Sequence, residues 1–199
     1  EYAIRLFHDI EAHSFDRKKN GYCEALTREW EEMADMRLSD KDANERKTMN
    51  THLHILEPYT NLFRVWKDDY LKRQLHNLVR LFIDRILDTE TSHLQLFFND
   101  DWESPYRIIS YGHDIEASWL LHEAALVLGD KALLDEVEPR VVDIAEAATE
   151  GSLTGAGMLY EQHVDTASID ADRHWWVQAE AIVGYINSVS YTHLRAHET

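Results

Sequence analysis

Two histidines lie in segments whose neighbours could take part in acid–base chemistry. Asn50 and His54 are four residues apart, so on a helix they share one face. His113 precedes Glu116 by three residues, which places a carboxylate beside the imidazole. Histidine exchanges protons near neutral pH, and amide and carboxylate groups bind hydroxyls. Each histidine alone is equally compatible with a hydrogen-bonded core residue or a helix N-terminus.

Tryptophans accompany these groups at helical spacing. Trp119 follows Glu116 by about one turn, and Trp176 shares a helical face with Glu180, next to Trp175. An indole ring beside a carboxylate suits a sugar, because aromatic faces pack on the apolar faces of sugar rings. Tryptophan pairs are more often part of a core, so this pattern is not decisive by itself.

Several kinds of site are disfavoured by the sequence. His52 and His54 are two residues apart, whereas a metal chelate on a helix needs three- or four-residue spacing. No glycine-rich phosphate loop, nucleophile elbow or cysteine pair occurs. The acidic run Asp100–Glu103 is typical of a solvated loop rather than of a calcium site or a glycosidase acid.

Charge and cysteine content limit the partners and the compartment. The formal net charge is -17, which disfavours nucleic acid and anionic membranes but allows a neutral sugar. Cys23 is the single cysteine, so no internal disulfide forms, and a cytoplasmic location is expected. No apolar run is long enough to cross a membrane.

Hydrophobic periodicity predicts an all-α fold made of helical hairpins. A short strand is expected within Leu94–Phe98, an extended segment over Cys23–Trp30, and a solvated charged segment over Leu38–Lys47. Repeated hairpins with long loops on one side favour a closed barrel that carries its site at that mouth. The predicted helices span about Tyr2–Ala12, Thr48–Lys67, Tyr70–Leu87, Gly112–Leu128, Lys131–Ala148 and His174–Asn187.

The two ends of the sequence have unusual features. The first residues already have the pattern of the middle of an amphipathic helix and include no initiator Met, so a preceding native segment is expected. Residues 188–199 have no apolar periodicity. We expect this tail to be non-native or disordered, although an ordinary frayed C-terminus would have the same pattern.

Three ordered motifs resemble the N-acylglucosamine 2-epimerase superfamily and, within it, the cellobiose 2-epimerases. They are Asn50–Leu62, Ser110–Trp119 and Trp175–Glu180, each with its internal spacing intact. The resemblance covers residues 1–187 and implies the central part of a single α/α-barrel domain. The complete barrel has six inner and six outer helices and about twice this length, so the chain would form a partial α/α toroid.

The resemblance implies inversion of C2 in the reducing-end glucose of a β-1,4-linked disaccharide. The sugar ring opens, a cis-enediolate forms, and the proton returns on the other face, with no metal or organic cofactor. His113 would be one of two acid/base histidines. His54 would assist ring opening and stabilise O1 and O2, and Asn50 would hydrogen-bond the same region.

The same resemblance gives roles to the remaining motif residues. Glu116 and Glu180 would bind hydroxyls or orient histidines. Trp119 and Trp176 would form walls of the pocket, and Trp175 would stack on the second sugar. The expected partner is a small disaccharide, and the complete protein would be a monomer or weak dimer.

Part of the family's site has no counterpart in this chain. The second acid/base histidine lies beyond residue 187, and an arginine and a tyrosine precede the first residue. We therefore expect the isolated chain to be inactive and to expose apolar helix faces.

Other functions stay open on the sequence alone. The chain could belong to an enzyme that acts on N-acylglucosamine or mannose on the same fold. A glycoside hydrolase would need paired carboxylates such as Glu116 and Glu180. A non-catalytic helical-repeat binding module is a third alternative.

Overall fold

The computed structural model describes residues 1–152 and 155–198, with side chains up to residue 190. Short helical turns of other types occur at Phe82–Ile86 and Thr149–Ser152. The α-helices in the described part are α1 Tyr2–His13, α2 Met49–Val65, α3 Asp69–Leu81, α4 Tyr111–Leu128, α5 Lys131–Ala148 and α6 Trp175–Glu198. The strands there are β1 Lys47–Thr48, β2 Phe97–Phe98, β3 Ile108–Ser110, β4 Glu161–His163 and β5 Ser168–Asp170.

The helix boundaries follow from local capping chemistry. The Thr48 side chain accepts a hydrogen bond from a backbone N–H in the first turn of α2. Asp68 and Asp130 each accept two such bonds, at the starts of α3 and α5. Helix α4 ends at Gly129, whose φ of 68° lies in the left-handed region that glycine adopts without strain.

The helices form an inner row and an outer row. Helix α4 packs between α2 and α6 in the inner row, while α3 and α5 lie behind them and close the α2–α3 and α4–α5 hairpins. Along the chain, one outer helix lies between each inner helix and the next. Since each outer helix turns the chain back, α2, α4 and α6 run in the same direction. Their N-terminal ends therefore meet at one end of the row.

Two small antiparallel sheets lie at this end. Strand β1 pairs with β2, with Thr48 opposite Phe97. Strands β3, β4 and β5 form a three-stranded sheet in which Ser110 lies opposite Glu161. Since β1 leads directly into α2 and β3 into α4, the sheets fix how these helices begin.

A buried carboxylate joins α1 to the rest of the structure. Glu11 accepts hydrogen bonds from the hydroxyls of Tyr22, Tyr59 and Tyr70, at 2.7, 2.9 and 2.6 Å. The amide of Gln74 donates a fourth, at 2.6 Å. These donors come from a loop, α2 and α3, so one side chain links four segments of the chain.

Most predicted elements are confirmed, and two expectations are wrong. Helix α6 continues to Glu198 instead of ending near Asn187. Lys47 is fully buried rather than solvated, because its ammonium lies 2.9 Å from the Asp100 carbonyl oxygen and 3.2 Å from the Asp16 carboxylate. The segment 23–30 contributes only an isolated bridge, between Leu26 and Glu32.

The nature of residues 188–199 stays a prediction. Their backbone is helical up to Glu198, while Thr199 and the side chains of 191–198 lie outside the described residues. No helix in the part of the chain that the structure describes is long and apolar enough to cross a membrane.

Candidate active site

A cavity of about 280 Å³ opens where the inner helices begin. Asn50, His113 and Trp176 line it, one each from the first turns of α2, α4 and α6. The polar or aromatic side chains that complete the wall include Glu24, Ser39, Asp42, Tyr160 and Glu161. The cavity thus combines a histidine, an amide, carboxylates and aromatic rings.

His113 is half-buried and held by two neighbours. Its Nδ1 lies 2.7 Å from the Ser110 hydroxyl, and its ring centroid lies 5.0 Å from that of Trp176. Burial and the nearby His54 lower the pKa of His113 to about 4. The imidazole is therefore neutral at pH 7 and able to accept a proton.

Gly112 allows Trp176 to approach His113 closely. A Cβ at residue 112 would lie 2.7 Å from the Val177 side chain and 2.8 Å from the Trp176 ring. Any side chain at this position would push α6 away from α4. The absence of a side chain at Gly112 therefore permits close packing of two inner helices.

His54 lies beside the cavity rather than in its wall. It is exposed on α2, in a shallow groove with Glu57 and Asn61. It is still close enough to His113 to contribute to the lowered pKa of that imidazole. The structure therefore places Asn50, His113 and Trp176 together and His54 at their margin.

Two neighbouring carboxylates act on the buried Glu116. Burial, Glu180 and Glu57 raise the pKa of Glu116 to about 8, so Glu116 is mainly protonated at pH 7. A neutral carboxyl group can donate a hydrogen bond as well as accept one. Glu57 was not predicted, although its position three residues after His54 would have indicated a shared face.

The three tryptophans of the motifs have different environments. The Trp119 indole donates a hydrogen bond to Glu180, at 2.8 Å, and lines a separate open groove of about 870 Å³ between the inner helices. Trp176 packs on His113, whereas Trp175 is 82% exposed. Of the three, Trp176 alone lines the cavity with His113.

His52 has a structural role, which explains why it does not share a helical face with His54. Its Nδ1 lies 2.6 Å from the Thr48 carbonyl oxygen, and its Nε2 accepts a hydrogen bond from the Tyr22 N–H at 2.9 Å. Burial lowers the pKa of His52 to about 4, so the ring stays neutral and fixes the start of α2. The described residues include no group of three His, Cys, Asp or Glu side chains that could hold a metal.

Comparison with known proteins decides the family. The N-acylglucosamine 2-epimerase (GlcNAc 2-epimerase) family model matches residues 6–193. The chain belongs to this family. It is 70% identical to the cellobiose 2-epimerase of Bacteroides fragilis over 190 residues, which are 96% of this chain and 48% of that protein. The cellobiose 2-epimerase of Dictyoglomus turgidum is 38% identical over 168 residues, covering 84% and 43% of the two chains.

Solved structures agree on the fold. The cellobiose 2-epimerase of Bacillus thermoamylovorans superposes with a TM-score of 0.90 at 42% identity, over 96% of this chain and 49% of that one. A D-mannose isomerase superposes with a TM-score of 0.72 at 18% identity, which supports the fold alone. The prediction of a partial α/α toroid is confirmed. The chain spans about half the length of the relatives that it matches.

Proposed function

We propose that this chain carries part of the active site of an epimerase that inverts C2 of the reducing-end glucose in β-1,4-linked disaccharides. The observation that supports this most directly is the neutral His113, held by Ser110 and Trp176 in a cavity that Asn50 also lines. A C2 proton is weakly acidic, so its removal needs a neutral base in a protected site. The names of the most similar relatives agree with this substrate class.

The proposed reaction begins with opening of the reducing-end ring, assisted by His54. Because Nδ1 of His113 faces Ser110, its Nε2 remains for the proton at C2. That proton moves to His113, the electrons of the C2–H bond form the C1=C2 double bond of a cis-enediolate, and the π electrons of the C1 carbonyl move to O1. A proton delivered to the opposite face of C2 gives the epimer. The resemblance assigns that delivery to a second histidine in the C-terminal part of the relatives.

The other motif residues would bind and orient the sugar. Asn50 would hydrogen-bond O1 or O2, where negative charge develops. Glu116, mainly neutral at pH 7 because its pKa is about 8, would donate to a sugar oxygen, and Glu180 would accept from a hydroxyl. Trp119 and Trp176 would shape the pocket, and the exposed Trp175 would stack on the second sugar.

The proposed partner is a small disaccharide, without nucleic acid or membrane, and the proposed location is the cytoplasm. Cys23, which is free and buried, is consistent with a reducing compartment. The described site comes from about half the length of the relatives, so we expect no turnover by the isolated chain.

A chimera would test the proposed function. This chain would replace the matching segment of the Bacteroides fragilis cellobiose 2-epimerase, and the product would be assayed with cellobiose, mannose and N-acetylglucosamine. We expect conversion of cellobiose to its mannose-ended epimer. Conversion of mannose or N-acetylglucosamine alone would replace the proposed substrate, and a folded chimera with no conversion would overturn the proposal.

A further inference from the structure

The β4–β5 hairpin contributes a carboxylate to the cavity that none of the sequence motifs includes. Glu161 lies in β4 directly opposite Ser110 in β3, and Ser110 in turn contacts His113. The strand register therefore fixes Glu161 beside the candidate base. Glu161 and its neighbour Tyr160 both line the same cavity as His113 and Trp176.

The two oxygens of Glu161 have different environments. Oε1 lies 2.9 Å from Nε2 of His163, two residues along the same strand and so on the same face of the sheet. Oε2 has no hydrogen-bond donor within the part of the chain that the structure describes. The side chain is 21% exposed, so it is largely removed from bulk water while one oxygen remains available.

The hairpin also contacts a loop that lines the cavity. The Lys41 ammonium lies 3.2 Å from the Asp170 carboxylate of β5 and 5.9 Å from the centroid of the Tyr160 ring. Ser39 and Asp42, which flank Lys41, line the cavity. These contacts connect the hairpin that carries Glu161 to the loop, and Asn50 lines the same cavity.

We propose that Glu161 is a substrate-binding residue whose Oε2 accepts a hydrogen bond from a sugar hydroxyl, and that His163 positions its carboxylate. A carboxylate with one satisfied oxygen is less costly to bury when a ligand hydroxyl satisfies the other. The aromatic rings of Tyr160 and Trp176 in the same wall suit the apolar faces of a sugar. The proposal rests on the proposed function only in taking the ligand to be a sugar.

Titration of this chain with cellobiose, followed by 1H–15N NMR shifts, would test Glu161. A hydrogen bond to a charged group contributes enough that we expect Glu161→Gln to raise the Kd about tenfold. Glu146→Gln, an identical change on the exposed side of α5, is the matched control and should leave the Kd within twofold. If Glu161→Gln fails to fold, Glu161→Asp can be tested instead. Its shorter side chain moves the carboxylate oxygens away from the cavity and should weaken binding similarly.

His163→Gln separates binding from a purely structural role. We expect it to weaken cellobiose binding a fewfold while the amide spectrum of the free chain stays that of a folded protein. Unchanged affinity in the Glu161 variants, or no saturable binding of cellobiose by the unaltered chain, would overturn the proposal. Cellobiose binding that depends on Glu161 in an epimerase-inactive chimera would instead overturn the proposed function alone.

Discussion

At the scale of single residues, the half-buried His113 and the buried Glu116 have pKa values shifted toward each other's usual range. Burial lowers the pKa of His113 to about 4, and burial with two carboxylate neighbours raises the pKa of Glu116 to about 8. At pH 7 the site thus presents a neutral base and a neutral hydrogen-bond donor, three residues apart on α4. The three-residue spacing in the sequence predicts that His113 and Glu116 lie together. Their protonation states depend on burial, which only the folded chain provides.

Glu116 should make the stability of the chain depend on pH. Its folded pKa is raised, so its favourable contribution is present below about 4.5 and is lost as the pH rises through about 8. Glu116→Gln mimics the protonated form. We expect the variant to match the unaltered chain at pH 5 and to be about 1–2 kcal/mol more stable at pH 9, by urea unfolding. Equal differences at both pH values would show that Glu116 is ionised when folded.

At the scale of elements, the sequence predicts the helices and the strand within Leu94–Phe98, but it does not predict the three-stranded sheet of β3, β4 and β5. The predicted bounds of α5, Lys131–Ala148, agree with the structure. Asp130 caps its start, and the apolar stripe continues to its end. Strands β3, β4 and β5 have three residues each, and β3 pairs with residues of β4 about fifty positions away, which leaves no local pattern for that pairing. Glu161 was missed for this reason, since its position follows from register with Ser110.

The Glu11 contacts predict a large effect of one substitution on stability. Glu11→Ala would leave four donors, three of them buried, without their acceptor, and we expect the free energy of unfolding to fall by about 3 kcal/mol or more. Tyr70→Phe removes one donor and should lower it by about 1 kcal/mol. Urea unfolding at pH 7 measures both. Similar losses in the two variants would contradict a shared role for the carboxylate.

At the scale of the whole molecule, α6 exposes an apolar stripe. Ile182 and Ile186 are 63% and 64% exposed, and together with Val183 they border the open groove between the inner helices. The sequence-based expectation of exposed apolar helix faces is therefore confirmed. Relatives of about twice this length match the chain over about half of their own length.

Polar substitution of this stripe should leave the fold intact. We expect Ile182→Lys with Ile186→Lys to lower the binding of an apolar fluorescent dye severalfold and to change the free energy of unfolding by less than about 1 kcal/mol. Ile169→Lys, at an exposed position on β5, is the control and should change dye binding little. A large loss of stability in the double variant would mean that the stripe already packs within this chain.

We propose that His113 exchanges the proton at C2. In the chimera with the Bacteroides fragilis relative, incubation of cellobiose in deuterated water should place deuterium at C2 of the reducing-end sugar. His113→Gln should slow this incorporation at least about 100-fold, because it removes the general base and leaves the cavity largely filled. Incorporation at an undiminished rate in a folded His113→Gln chimera would show that another group removes this proton.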